Sequence, residues 1–395
     1  MGSVLAQIAA VIKMNLLSIP NRAASSLTAL LAVAIVVTVL LAFMAMAEGF
    51  QKTMQGSGSE SVAMMLRGGS RAELNSGLDG DVLNIISSAP GIAKNAGEAM
   101  ISGELYVVVN GIKRSSNTEA NLPLRGIGSA GFALRDSIQL IEGRMFAPGT
   151  TELVVGSGVL AEFSGFELHS TLRFGTTEWT VVGVFDAPGT VFGSEILTDV
   201  RTLQTQFNRG NSYQSIRVKL DGDGAMQQLK EFVANDPRLN LDVITEKAYF
   251  SEQSEGMNSL IYIGWGLSIL MATGALAGAL NTMYTSVDGR SIEIATLRAI
   301  GFKSIAAFIG TLVESLVLAF FGGVLGTLLA YLLFDGISTS TISAGFTQVV
   351  FNFEVTAKAL TTGIVLALII GLVGGFFPAR RAATLPVVAA FKNGA

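Results

Sequence analysis

The sequence predicts a membrane protein that is mainly α-helical, with four transmembrane helices and one large extracytoplasmic α+β domain. Of the 395 residues, 50% are hydrophobic and only 14% are charged, whereas soluble domains carry about 25% charged residues. Mean hydropathy is +0.53. Four stretches lack charge almost entirely, and most charged residues lie in one long segment between the first two of them. This distribution indicates four segments in lipid and one domain in water.

The four uncharged stretches lie at residues 23–48, 256–287, 304–334 and 359–379. Each is long enough to cross a hydrocarbon core about 30 Å thick, which needs about 20 apolar residues. Because lipid offers no hydrogen-bonding partner to the backbone, each is predicted to be a helix. A buried helix of a soluble protein is the alternative, but such helices rarely stay uncharged over about 18 residues.

Residues 1–22 precede the first span. Their apolar residues have amphipathic spacing, which predicts a helix along the membrane surface before Pro20 turns the chain. A cleaved signal peptide is the alternative, since Ala45-Met46-Ala47 fits the cleavage pattern. The apolar stretch exceeds the roughly 7–15 residues of a signal peptide, so the first span is predicted to stay uncleaved.

Lysine and arginine in the short flanking segments predict the orientation. Residues 1–22 include Lys13 and Arg22, and the segments 288–303 and 380–395 carry three basic residues each. Residues 335–358 contain a single lysine. The bias predicts that both termini and 288–303 are cytoplasmic and that 335–358 is a short periplasmic loop. The expected location is the inner membrane, as a multi-pass protein.

Residues 49–255 form the predicted extracytoplasmic domain. Strand-like runs bounded by turn residues occur at 104–110, 152–155, 171–174, 179–185, 216–220 and 241–245. A helix at 224–235 between the last two runs predicts a small βαβ unit. The middle, 104–215, is β-rich. We therefore expect an α/β lobe, built from both ends of the segment, with a β-rich lobe inserted into it.

The composition excludes several kinds of chemistry. The chain has no cysteine and one histidine, His169, so disulfides and metal sites with several histidines are excluded. There is no G-x-x-x-x-G-K-[ST] phosphate loop and no G-x-S-x-G nucleophile motif. We expect no catalytic, cofactor or metal residue, and any ATP-driven role needs a separate ATPase. The net charge of −4 argues against a nucleic-acid partner.

The most specific motif lies between the second and third spans. Residues 290–301 read R-S-I-E-I-A-T-L-R-A-I-G. This resembles the MacB/LolE/FtsX-like permease family of ABC transporters, with its pattern R-x-x-E-I-x-x-L-R-A-[IL]-G. Residues 312–326 and 377–387 are similar to the third span and C-terminal signature of that family. Residues 175–189 resemble the β-rich part of a MacB-type periplasmic domain.

The resemblance implies a permease subunit that works by mechanotransmission. A separate cytoplasmic ABC ATPase would bind ATP and move the spans, and the outer domain would change shape in response. Such permeases are dimers, so the expected partners include a second copy or a paralogue, a periplasmic adaptor or membrane-fusion protein, and membrane lipid. The cargo would be a lipid, lipoprotein, peptide or drug. The sequence departs from MacB in having no fused ATPase domain.

Residues 288–303 can be interpreted as a solvated loop or as a coupling helix that docks on the ATPase, and the resemblance favours the helix. The residues predicted to couple to the ATPase are Arg290, Glu293, Leu297, Arg298 and Gly301.

Three G-x-x-x-G pairs are predicted to let helices approach closely, within or between subunits. Glu314 lies inside the third span as a lone carboxylate, where a charge costs about 2.5–3.5 kcal/mol. It is expected to face protein and form a structural hydrogen bond rather than a proton or ion site. The residues predicted to pack the spans are Gly274, Gly278, Glu314, Gly322, Gly326, Gly371 and Gly375.

Two other functions compete with transport. An FtsX-like signalling subunit would transmit ATPase motion to an outside partner such as a cell-wall hydrolase. The large outer domain favours transport over this alternative. The other alternative is a membrane-anchored enzyme, but no catalytic motif in the sequence supports it.

Overall fold

The computed structural model describes residues 4–255, 258–342 and 347–386. Parts of four predicted segments therefore lie outside the described residues. They are the ends of segments 1–22 and 380–395, the start of the second span and part of the loop 335–358. The chain divides into two compact units. The helical unit comprises Met1–Glu48, Ser259–Ile337 and Phe353–Ala395, and the extramembrane unit comprises Gly49–Asn258 and Ser338–Asn352.

Long helices coincide with the uncharged stretches of the sequence, and shorter helices lie between the strands of the extramembrane unit. Their bounds are α1 Val4–Ser18, α2 Ala23–Gln55, α3 Gly80–Ile86, α4 Ser157–Glu162, α5 Val200–Gln206, α6 Ala225–Asn235, α7 Glu246–Glu255, α8 Asn258–Gly289, α9 Ser291–Ala299, α10 Ser304–Phe334 and α11 Ala357–Thr384. Among the described residues, four helices are long and apolar enough to cross a membrane, namely α2, α8, α10 and α11. The predicted fold class is confirmed.

The helices of the helical unit extend beyond the uncharged stretches. α2 continues past the predicted end at residue 48 to Gln55, and α11 continues past residue 379 to Thr384. The extra turns carry charged residues, because a helix that leaves hydrocarbon can remain a helix in water. α2 stops before Gly58, whose φ of +77° lies in the left-handed region that glycine adopts without strain.

The extramembrane unit is built on strands. Their bounds are β1 Val62–Arg67, β2 Lys94–Asn95, β3 Glu98–Ala99, β4 Ile101–Lys113, β5 Glu119–Ile127, β6 Gln139–Gly143, β7 Glu152–Gly156, β8 Phe163–Ser164, β9 Thr171–Phe174, β10 Thr177–Asp186, β11 Ile196–Asp199, β12 Ser215–Lys219, β13 Leu241–Thr245, β14 Ser338–Ile342 and β15 Gln348–Asn352. The main sheet has the order β13-β1-β12-β4-β5-β11-β7-β10-β6.

Strand β4 joins two lobes. Its first residues, from Ile101 to Glu104, pair with β12, and the rest of the strand pairs with β5. On one side of this junction lie β12, β1 and β13 with α6, which form the α/β lobe. On the other side lie the strands of the β-rich lobe. The prediction of two lobes, one inserted into the other, is confirmed.

The predicted βαβ unit is split by a strand that the sequence analysis missed. β12 and β13 both pair antiparallel with β1, which lies between them. β1 reads Val-Ala-Met-Met-Leu-Arg and is buried at its first five positions. A strand covered on both faces shows no alternation of apolar and polar residues, so its pattern gave no strand signal.

The segment between the third and fourth spans, predicted as a short loop, contains two strands. β14 and β15 form an antiparallel hairpin that belongs to the extramembrane unit. The hairpin is fixed by contacts within that unit: Val350 N donates to Ser194 Oγ at 2.8 Å, and the rings of Phe50 and Phe351 meet edge to face at 5.5 Å. The chain therefore supplies this unit from two separate segments.

Candidate coupling site

The connection between α8 and α10 is helix α9. Ile294 and Ala295 are buried, and Ile294 packs in a small apolar cluster with Val287, Ala307 and Ala382. The opposite face is exposed, and Ile300, which follows the last residue of the helix, is 69% exposed. α9 is thus an amphipathic helix within a polar connection, with one face buried and the other exposed.

The structure places the predicted coupling residues in different environments. Glu293 lies on the exposed face and Leu297 is half-buried. Arg298 is half-buried and donates to the backbone carbonyl of Leu385, so it joins α9 to the segment after α11. Gly301, with a φ of +103°, ends the α9 turn in a conformation that favours glycine.

Arg290 is buried between α8 and α9 and does not lie on the exposed face. Its Nη2 donates to Glu314 Oε2 at 2.6 Å and its Nη1 donates to Asn15 Oδ1 at 2.8 Å. The prediction of direct ATPase coupling through Arg290 stays a prediction. The geometry supports a role inside the helical unit, where this side chain positions the start of α9.

Glu314 faces protein and accepts hydrogen bonds within the helical unit, as predicted, but it is not the lone carboxylate that the sequence analysis expected. Its side chain is 1% exposed and forms ion pairs with Arg290 at 2.6 Å and with Arg22 at 3.0 Å. Arg22 also donates to Ser18 Oγ at 2.8 Å and contacts Ser286 Oγ. The carboxylate of α10 therefore binds one arginine from the turn before α2 and one from the α8–α9 junction, and α1 contacts these arginines through Ser18 and Asn15.

The sequence analysis missed Arg22 and Arg290 as partners of Glu314. Arg22 was used only to predict orientation, although an arginine at the end of one span can pair with a carboxylate in another. A charge far inside a span has to find a partner or a hydrogen bond, because an isolated charge in hydrocarbon is unfavourable. That rule could have pointed to the nearest arginines of the flanking segments.

Two of the three glycine pairs pack helices closely within the chain. A Cβ atom on Gly322 or Gly326 would lie 2.8 or 2.5 Å from backbone oxygens of α2. A Cβ atom on Gly371 or Gly375 would lie 2.4 or 2.5 Å from side chains of α10. These glycines let α10 approach α2 and α11 at distances that a larger residue would prevent.

The third pair, Gly274 and Gly278, behaves differently. Apart from the neighbouring backbone of α8 itself, no atom of the described residues lies within 4 Å of a Cβ built on either glycine, so neither packs against another described helix. Close packing of this pair within the subunit is therefore wrong, and the pair faces outward from α8. Packing between subunits stays a prediction.

A second buried ionic cluster lies in the extramembrane unit. Arg125 of β5 uses all five of its N–H donors, on Glu73, Glu104 and Glu195, at donor–acceptor distances from 2.6 to 3.0 Å. Arg135 donates twice to Glu104, at 2.9 and 2.7 Å. These charges come from both lobes and meet beside the junction at β4.

A third guanidinium completes this cluster. Arg217 of β12 donates to Glu246 Oε1 at 2.8 Å and also contacts Glu104. Burial alone would raise the pKa of Glu104, but the guanidinium groups of Arg135, Arg217 and Arg125 outweigh burial and lower that pKa to about 2. The pKa of Glu73 is lowered for the same reason, by Arg125 and Arg217. Glu73 and Glu104 are therefore ionised at neutral pH.

The lowered pKa values predict that acid destabilises the extramembrane unit. Glu104 has an ordinary pKa of 4.5, which is lowered to about 2 in the fold. Its stabilising contribution is present above pH 4.5 and is lost as the pH falls towards 2, in total roughly 3 kcal/mol. Denaturant unfolding between pH 6 and pH 2 measures this loss. An unfolding free energy that is equal at pH 6 and pH 3 would contradict the prediction.

Comparisons with known proteins agree with the resemblance seen in residues 290–301. A family model described as the MacB-like periplasmic core domain matches residues 26–235, which is more than half of the chain. A second model, the FtsX-like permease C-terminal domain, matches residues 265–387.

The sequence identity between this chain and individual curated relatives is low. Over 387 residues the chain is 26% identical to the macrolide export ATP-binding/permease protein MacB of Chlorobium phaeobacteroides, covering 89% of this chain and 56% of that protein. It is 25% identical to the pyoverdine export ATP-binding/permease protein PvdT of Pseudomonas entomophila, covering 64% and 40% respectively. The chain spans about half the length of the curated relatives it matches.

Among solved structures, the periplasmic region of MacB from Actinobacillus actinomycetemcomitans aligns with a TM-score of 0.37 and 16% identity, over 50% of this chain and 94% of that chain. The two family models together cover residues 49–235 of the extramembrane unit and all or most of each of the four spans. With its four apolar helices, the chain is a multi-pass membrane protein, and it belongs to the MacB-like and FtsX-like family of ABC transporter permeases.

Proposed function

We propose that this chain couples ATP hydrolysis by a separate cytoplasmic ABC ATPase to a shape change of its extramembrane domain. The output is export or extraction of a lipid, lipoprotein, peptide or drug. The curated relatives with printed activities export a macrolide or pyoverdine and carry both ATP-binding and permease functions. In this chain the nucleotide-binding part is assigned to a partner subunit, and a second permease copy or paralogue completes the complex.

The observation that supports the proposal is the geometry of α9. Its exposed face is free to receive a partner, and Arg290 at its start is hydrogen-bonded to Glu314 inside α10. Movement of a docked ATPase would therefore reach α10 through an ion pair at 2.6 Å rather than through a flexible loop. A rigid connection of this kind is what transmission of motion requires.

The proposed dimer is supported by the outward-facing glycines of α8. Gly274 and Gly278 lie one helical turn apart with open space above them. In lipid, small residues at this spacing let two helices approach closely. We propose that α8 contributes to the contact with the second permease subunit.

The proposed docking on α9 predicts that a charge placed at the exposed C-terminal end of this helix removes the ATPase. In Ile300→Asp, a side chain that is 69% exposed becomes charged without disturbing the inner face of the helix. We expect the tagged variant, purified from its native membranes, to recover at least tenfold less of the ATPase subunit, identified by its phosphate-loop motif. The measurement is quantitative mass spectrometry of the eluate.

The matched control for this experiment is Ile141→Asp, which changes a 60% exposed isoleucine on β6 of the extramembrane unit. It should recover the ATPase at the level of the unmodified chain. An Ile300→Asp variant that retains the ATPase would rule out docking on this face. Recovery of a cell-wall hydrolase with the unmodified chain would favour the signalling alternative over transport.

The proposed orientation predicts opposite labelling of two positions. The chain has no cysteine, so a single introduced cysteine is the sole site at which a maleimide can label a thiol. Ala299→Cys, exposed on α9, should react with a membrane-impermeant maleimide only after the inner membrane is opened. Ser116→Cys, exposed in the extramembrane unit, should react while that membrane is intact. Labelling of Ala299→Cys behind an intact inner membrane would reverse the proposed orientation.

A further inference from the structure

The extramembrane unit contains a cleft of about 780 Å³ between its two lobes. One wall belongs to the α/β lobe and includes Leu83 of α3 and Tyr213, just before β12. The other wall belongs to the β-rich lobe and includes Phe132 and Phe146. A volume of this size lies within the range of about 300–1,000 Å³ that small-molecule sites occupy.

The floor of the cleft is shaped by a glycine of the shared strand. A Cβ atom on Gly103 of β4 would lie 2.8 Å from the ring of Tyr213 and 3.0 Å from Leu83 Cδ2. The absence of a side chain lets both residues pack directly on the strand, so the floor is lined by an aromatic ring and an aliphatic chain. Aromatic and aliphatic walls are suited to the hydrophobic part of a ligand.

The charged groups of the cleft leave one free cation among the described residues. The carboxylate of Asp199 is occupied as the cap of α5, since it accepts from Thr202 N and Thr202 Oγ1 at 3.0 Å each, and from Gly149 N at 3.3 Å. Arg201 is exposed and, within the described part of the chain, its guanidinium has no ion pair. An apolar cleft with an unpaired guanidinium is complementary to a lipophilic anion.

We propose that this cleft binds an amphiphile with an acyl or similarly lipophilic body and one anionic head group. The body lies between Phe132, Phe146 and Tyr213, and the head group pairs with Arg201. A fatty acid and a lysophospholipid share this chemistry. Binding itself does not depend on the proposed ATPase coupling, whereas the assignment of the bound amphiphile as cargo rests on that function.

The test uses the full-length chain in amphipol, without any ATPase, and a fluorescent polyene fatty acid as the probe. We expect saturable binding that oleate displaces and that methyl oleate, which lacks the charge, displaces at least tenfold more weakly. Displacement by lysophosphatidylglycerol as strong as that by oleate supports the site and extends its ligand to phospholipids. An absence of saturable binding, or equal displacement by the ester and the acid, would overturn the proposal.

Two variants localise the probe, and each has a matched control. Arg201→Gln removes the cation and should weaken binding about tenfold, whereas Arg209→Gln, another exposed arginine, should not. Ser129→Trp places a large ring in the cleft and should abolish saturable binding, whereas Ser116→Trp, exposed outside the cleft, should leave it intact. Unchanged binding in both Arg201→Gln and Ser129→Trp would overturn the proposal even if transport is later established.

Discussion

Replacement of Arg125 by methionine is expected to lower the unfolding free energy of the extramembrane unit by about 3–5 kcal/mol, because it removes the ion pair of the buried Glu195 and leaves Glu73 only its longer pair with Arg217. Arg125 forms the ion pair of Glu195 and the bidentate pair of Glu73. Both carboxylates are buried, so neither regains full hydration when the guanidinium is gone. An effect of this size is a large fraction of the stability of a typical domain.

The measurement is denaturant unfolding of the detergent-solubilised chain, followed by tryptophan fluorescence. The chain has two tryptophans. A Trp265→Phe background leaves Trp179, which is fully buried in the extramembrane unit, as the reporter. The control is Arg114→Met, whose pair with Glu167 has side chains 42% and 54% exposed, and which should change stability by less than about 1 kcal/mol. Equal effects of the two variants would show that the buried cluster does not stabilise the fold.

Replacement of Glu314 by leucine is expected to destabilise the helical unit by about 3–5 kcal/mol, since two arginines lose their shared carboxylate. Arg290→Gln should have a smaller effect, because Glu314 then keeps its pair with Arg22 at 3.0 Å. We expect the order Glu314→Leu, then Arg290→Gln, then the unmodified chain, in increasing resistance to unfolding by a denaturing detergent.

The control for this series is Glu293→Leu, which removes an exposed carboxylate of α9 less than one helical turn from Arg290. It should unfold like the unmodified chain, even if it weakens association with the ATPase. If Glu314→Leu were as stable as Glu293→Leu, the ionic cluster would not hold α1, α9 and α10 together.

The helical unit could be predicted from sequence because lipid imposes a single strong rule. A segment of sufficient length without charge has few alternatives to a spanning helix. The one charge that broke the rule, Glu314, pointed to a site, but its partners could not be read from local pattern. Arg22 is 292 positions away in the chain, and only the packed structure brings the two together.

The extramembrane unit was predicted less completely, for two physical reasons. Strands with clear turns on both sides, such as β9 and β13, were predicted with the bounds that the structure shows. β1 was missed because a strand buried on both faces has no period of two. The ionic cluster was missed because the charges of Arg125, Arg217 and Glu104 lie within strands, where each looks like an ordinary exposed residue.

The hairpin of β14 and β15 has a consequence for any attempt to produce the outer domain by itself. A recombinant fragment cut at residue 258 would keep Phe50 and Ser194 but lose Phe351 and the backbone of Val350 that contact them. Tyr106 would also lose the hydroxyl of Thr347, at 2.6 Å. The excised fragment would expose the apolar surface that the hairpin covers and would tend to aggregate. Fusing Ser338–Asn352 to the fragment through a short linker should cover that surface again.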